Sequence, residues 1–116
     1  MLQMLLLLLL ISASGAAYAE EGVYIHDGFL KGEQYLKLSE TQQRGYAIGL
    51  VDGLFLSPLY GAPKARIAPF EKCVEGMSDT QVAAVLTKYL QDRPARWHES
   101  ANAVFFGALK DACAIK

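Results

Sequence analysis

The sequence predicts a small all-α fold, a bundle of about four helices stapled by one disulfide. Three observations carry this. Ser39-Glu40-Thr41-Gln42 and Ser78-Asp79-Thr80-Gln81 are capping boxes, each with a hydroxyl at the N-cap and a Gln three residues on. Apolar residues after each box recur at helical spacing, and no stretch alternates persuasively as a strand would. Two cysteines, Cys73 and Cys113, remain in a chain that carries an export signal, and even parity in such a chain reads as a disulfide.

The export signal comes first. The chain of 116 residues is 53% hydrophobic, but residues 1–19 hold no charged side chain and much of that excess. A short apolar run at 4–11 precedes small residues and Ala17-Tyr18-Ala19, an A-x-A site followed by Glu20 and Glu21. This is the order of a secretory signal peptide, although the n-region lacks Lys and Arg. The apolar core is short for a membrane span, which needs roughly 20 residues. Cleavage is expected after Ala19, leaving 20–116 as a single domain with no further membrane contact. No Cys follows the cleavage point, so a lipoprotein is not expected, and in a Gram-negative host the product is periplasmic or secreted.

Residues 20–38, with Gly22, Gly28 and Gly32, read as an irregular lead-in with one short helix near 29–37. A helix is expected from about 40 to 56, buried along Ala47, Leu50, Val51, Leu54 and Phe55. Gly45, Gly49 and Gly53 share another face of it. Each costs about 1 kcal/mol against Ala, so the spacing predicts close approach of a second helix, inside the domain or across a homodimer. Pro58, Gly61, Pro63 and Pro69 argue against a long helix over 57–72 and predict a long connection. Its residues Leu59, Tyr60, Lys64 and Arg66 are the candidate partner-binding surface, the alternative being a plain crossing to Cys73.

Met77 and Val82 form a hydrophobic staple around the Ser78 box. Val82, Val85, Leu86, Tyr89 and Leu90 continue the stripe of that helix, which Asp92-Arg93-Pro94 ends. Pro94 suits the start of a last helix over about 95–113, striped by Trp97, Ala101, Val104, Phe105, Ala108 and Ala112. Leu109 and Cys113 lie one turn apart on its flank. The disulfide then ties this helix to the segment just before Ser78.

Charge and motif content narrow the function. Eleven Lys and Arg against twelve Asp and Glu leave a net charge of −1, too balanced for a nucleic-acid footprint. The chain is too apolar for disorder and too short for two catalytic domains. His26 and His98 lack partners at metal-ligand spacing and read as structural or surface residues. Asp52 reads as a partly buried carboxylate, hydrogen-bonded near the end of its helix. No Gly-rich phosphate loop, G-x-S-x-G or paired acids occur, so no catalytic, cofactor-binding or metal-binding set is expected and the chain is not read as an enzyme.

Cys73, Gln81, Lys88-Tyr89-Leu90, Pro94, His98, Ala101, Ala108-Leu109 and Cys113, with Tyr46, Gly49 and Asp52 as Y-x-x-G-x-x-D, form a recognisable series. It resembles the Rap/Tai family of immunity proteins over residues 39–113. Those are small exported helical proteins of bacteria that use type VI secretion. They neutralise amidase effectors that cut peptidoglycan. Val74 and Ala112 stand where many members have proline, which bears on how the last helix ends. The shared residues are mainly caps, core positions and cysteines, which carry the fold more directly than the inhibitory role.

The resemblance implies a periplasmic immunity protein that binds and inhibits a peptidoglycan amidase effector, or an orphan relative of that family. In this reading the 57–66 loop plugs a concave active site. Tyr60, buried against the partner and flanked by Lys64 or Arg66, suits an interface anchor. The competing reading is a small periplasmic acid-stress chaperone of the HdeA type, also helical, exported and stapled once. A small hydrolase or ligand carrier built on His98 is the third.

Overall fold

The computed structural model describes residues 27–116. The leader at 1–19, its cleavage site, His26 and the first part of the lead-in lie outside the described residues. The rest forms α1 (Gly32–Leu36), α2 (Glu40–Leu56), α3 (Lys64–Val74), α4 (Asp79–Gln91) and α5 (Ala101–Ala112). Short 3-10 turns occupy Ser57–Tyr60 and Pro94–Arg96. Among the described residues there is no strand, only an isolated bridge between Lys31 and Ser100. This is the small all-α fold with one disulfide that the sequence predicts. No helix among the described residues is long and apolar enough to cross a membrane.

Both capping boxes form. Ser39 Oγ accepts from the Gln42 amide at 3.2 Å while Gln42 Oε1 accepts from the Ser39 amide at 3.0 Å. Ser78 and Gln81 repeat this at 3.2 and 2.8 Å. Each box satisfies two of the orphan donors that open a helix. Helix α4 is the centre of the fold. It buries Val82, Ala83, Leu86 and Leu90 and packs against α1, α2 and α5. Tyr35 of α1 is fully buried, and its hydroxyl donates to the Ala83 carbonyl at 3.1 Å and lies 3.3 Å from Thr87 Oγ1. Burial raises the Tyr35 phenol above its ordinary pKa, partly offset by the Thr87 contact.

Helix α3 replaces the long connection expected over 57–72. The prolines do not exclude it, because two of the three stand at element starts. Pro58 opens the 3-10 turn, and Pro63 is the N-cap of α3 in extended conformation. Only Pro69 is internal, where it removes the amide that would bond the Ala65 carbonyl. That costs about 3 kcal/mol. Burying Ile67, Phe70 and Val74 returns about 1.5–3 kcal/mol each, which outweighs it.

The last helix also differs from expectation, starting at Ala101 rather than near 95. The intervening backbone is committed elsewhere. The amides of Gly32 and Glu33, at the start of α1, bond the carbonyls of Glu99 and Trp97 at 2.9 and 3.0 Å. The Ala101 amide bonds the Leu30 carbonyl at 2.8 Å. These bonds pin the 97–101 backbone against the start of α1, and Pro94 opens only one 3-10 turn. Trp97 lies outside α5 and donates from Nε1 to the Leu90 carbonyl at 2.6 Å.

The glycine face of α2 has no close neighbour among the described residues: a Cβ on Gly45, Gly49 or Gly53 would meet nothing there within 4 Å. Of the two expected packings, inside the domain or across a homodimer, the first does not occur among the described residues, and these glycines face outward with Ile48 and Leu56. The close approach occurs instead at Gly32. There a Cβ would stand 2.7 Å from Leu90 Cδ2 and 3.3 Å from the Trp97 carbonyl oxygen.

The Cys73–Cys113 disulfide closes at a Cα–Cα distance of 5.8 Å and joins α3 to the end of α5. Phe70 and Phe106 stack beside it with ring centroids 5.1 Å apart.

Two measurements check this fold. The same substitution should change stability in opposite directions at two glycines. Gly32→Ala should lower unfolding free energy by about 1–3 kcal/mol through overpacking, while Gly49→Ala should raise it by about 0.5–1 kcal/mol. Urea titrations followed by circular dichroism report both, and equal signs would contradict the packing described. Removing the disulfide as Cys73→Ser/Cys113→Ser should cost about 4 kcal/mol for a closed loop spanning 40 positions. The loss should match that caused by reductant on the unmodified chain.

Candidate functional site

The four candidate contact residues sit at and after the corner joining α2 to α3. The corner is a hydrogen-bonded structure. The Gly61 amide bonds the Pro58 carbonyl at 3.2 Å and the Ala62 amide bonds the Ser57 carbonyl at 3.1 Å. Gly61 takes φ 104°, a conformation that suits glycine and ends the 3-10 turn. Leu59 and Tyr60 project from this turn and are 78% and 88% exposed. Leu56, at the end of α2, is 51% exposed and extends the apolar tip.

Lys64 and Arg66 are exposed on the first turn of α3. The structure does not gather all four into one cluster. Arg66 instead borders a crevice of about 440 Å³ on the α5 side of α3, with Phe70, Phe106, Lys110 and Lys116 around it. Lys110 Nζ lies 5.9 Å from the Phe106 ring centroid there.

A larger groove, about 590 Å³, lies between α2 and α3 and was not foreseen from the sequence. Its partial signals were Ile48 and Asp52, which fall off the predicted buried stripe of α2, and Glu71 with Glu75, one turn apart. Residues 71 and 72 fall in the connection expected over 57–72, where a helical spacing carries no meaning. Asp52 is exposed on this groove rather than partly buried in the helix.

His98 is exposed. Its neighbour Glu99 belongs to a polar cluster on the turn between α4 and α5. Glu99 carboxylate oxygens accept from Arg96 Nε at 2.7 Å and Nη2 at 3.1 Å. Arg96 Nη1 donates to the Tyr89 hydroxyl, and the Arg93 guanidinium lies 3.7 Å from the Tyr89 ring centroid. The contacts to Tyr89 hold the 92–100 segment, with its 3-10 turn, against α4. The bidentate Arg96 contact holds the Glu99 carboxyl below the usual carboxylate range, and the same pairing raises the Arg96 pKa. Among the described residues no group of three or more His, Cys, Asp or Glu side chains is placed to hold a metal ion.

The sign of the pH dependence follows from Glu99. Its folded pKa lies below the unfolded value of about 4.3, so its stabilisation is complete above that pH and is lost as pH falls through the folded pKa. Thermal melts between about pH 5 and pH 3 should therefore fall more steeply for the unmodified chain than for Glu99→Gln. Parallel slopes would show that the pair contributes nothing.

No family model, curated protein or solved structure matches the chain.

Proposed function

We propose that this chain is an exported binding protein that presses its Leu59–Tyr60 turn into the cleft of a partner. The partner class comes from the Rap/Tai resemblance and is a peptidoglycan amidase effector. The mature protein, cleaved near Ala19, then acts as an immunity protein in the periplasm, and inhibition is occlusion of the amidase cleft.

One observation carries the reading. A tyrosine and a leucine stand side by side, 88% and 78% exposed, on a turn tied by its own backbone hydrogen bonds. Isolated exposed apolar residues are ordinary, but an adjacent pair on a projecting corner is a more specific feature. Tyrosine is enriched among residues that dominate binding energy, and a preformed turn lowers the ordering cost on association. Lys64, one turn on, supplies a cation at the edge of the contact.

The test is co-expression of the exported chain with a peptidoglycan amidase encoded beside it. Protection from lysis and co-elution on size exclusion are expected. Leu59→Ala/Tyr60→Ala should weaken the complex by about 2 kcal/mol or more while leaving the melting temperature nearly unchanged, since neither side chain is packed. Undiminished lysis with separate elution would overturn the reading. Suppression of client aggregation near about pH 2–3 in the absence of amidase binding would favour the acid-stress chaperone instead.

A further inference from the structure

The groove between α2 and α3 has an apolar interior and an acidic margin. Buried Val74 and Val82 form its floor, and Ile48, Val51, Phe55 and Met77 line its sides. Ile48 remains 46% exposed there. Asp52, Glu71, Glu75 and Asp79 stand around it, against a single lysine, Lys72.

Only one of these four carboxylates is neutralised nearby, Asp79, which lies 3.5 Å from Arg44 Nε. Among the described residues no ion pair engages Asp52, Glu71 or Glu75. Glu71 and Glu75 are separated by one turn of α3, a spacing at which like charges repel and weaken the helix. Unpaired negative charge beside an apolar trough complements a ligand that is apolar on one side and cationic on the other.

The volume of about 590 Å³ suits several side chains. The groove opens to solvent along walls that stay partly exposed. An enclosed small molecule would bury most of its surface, whereas this site leaves its occupant half outside. An amphipathic helix meets that description, with its apolar stripe in the trough and its basic flanks beside the carboxylates. We infer that the α2–α3 groove is a docking site for a basic amphipathic helix of a partner protein. The site is separate from the Leu59–Tyr60 turn, and its test does not depend on that turn's role.

The probe is a fluorescein-labelled peptide of about 14 residues, Leu at i, i+3, i+4 and i+7 with Lys elsewhere. Its anisotropy is titrated with the mature, disulfide-bonded chain. Saturable binding is expected, weakening as salt rises. Glu71→Lys/Glu75→Lys should reduce affinity about tenfold, and Ile48→Ser should also reduce it. These side chains are exposed or half-exposed, and a melt of each variant confirms that the fold persists.

Glu33→Lys/Glu40→Lys makes the same change in net charge away from the groove and should leave affinity unchanged. An equal loss in that control would overturn the assignment by showing attraction to overall charge. So would equally tight binding of a peptide with Glu in place of Lys. Displacement of the peptide by dodecyltrimethylammonium at equimolar concentration would overturn it too, because the site would then prefer a small cationic amphiphile.

Discussion

The Cys73–Cys113 disulfide is the constraint that ties α3, the helix bordering both candidate surfaces, to the end of α5. Helix α3 is the least self-sufficient helix of useful length in this fold. It begins at a proline that supplies no side-chain cap and carries a second proline inside. It joins the core through Phe70 and Val74, which pack in one cluster with the buried residues of α4 and α5. The stacked Phe70 and Phe106 rings and the covalent tie between α3 and the end of α5 add to that burial in setting its position. Both the projecting corner and the apolar groove have α3 as one side. A bond that chiefly restricts the unfolded chain therefore also fixes the geometry of the surfaces available to a partner.

Helix starts were legible wherever the stabilising groups are local. At Ser39 and Ser78 the cap and its reciprocal Gln lie three residues apart, so a four-residue window contains the whole interaction. At α5 that economy fails. Ser100 is the N-cap but makes no side-chain cap hydrogen bond. The segment ahead of the helix is held by hydrogen bonds from Gly32 and Glu33, residues more than sixty positions earlier in sequence. No reading of residues 92–101 alone can locate that boundary. Pro94 gave the right kind of signal at the wrong scale, because the element it opens is a 3-10 turn.

The candidate site was legible in its residues and not in its arrangement. Leu59 and Tyr60, two of the four candidate residues, are the most exposed large apolar side chains among the described residues. The arrangement depends on α3, which a count of prolines concealed. Proline position matters more than proline number, since an N-cap or first-turn proline sacrifices no internal hydrogen bond. Once α3 is a helix, Lys64 and Arg66 separate. Arg66 turns to the crevice shared with α5, while Lys64 stays beside the corner. The glycines show the converse. Gly45, Gly49 and Gly53 keep the pattern of a packing face without a neighbour among the described residues, and Gly32, which belongs to no pattern, is where two segments meet closely.

A net charge of −1 taken as a total implies little long-range attraction for any partner. Its distribution changes that conclusion. Asp52, Glu71, Glu75 and Asp79 border the groove on one side of α3. Arg66, Lys110 and Lys116 border the crevice on its other side. With Lys72 also at the groove, part of the cancellation is therefore between two sides of α3, separated by about the thickness of a helix. A helix is about 10–12 Å across with its side chains, comparable to the screening length of about 8 Å at physiological salt. A partner approaching one face consequently experiences that face's sign more strongly than the total. The local field beside either side of α3 is therefore larger than a net charge of −1 implies, because charge acts over the distance at which it is screened and not as a total.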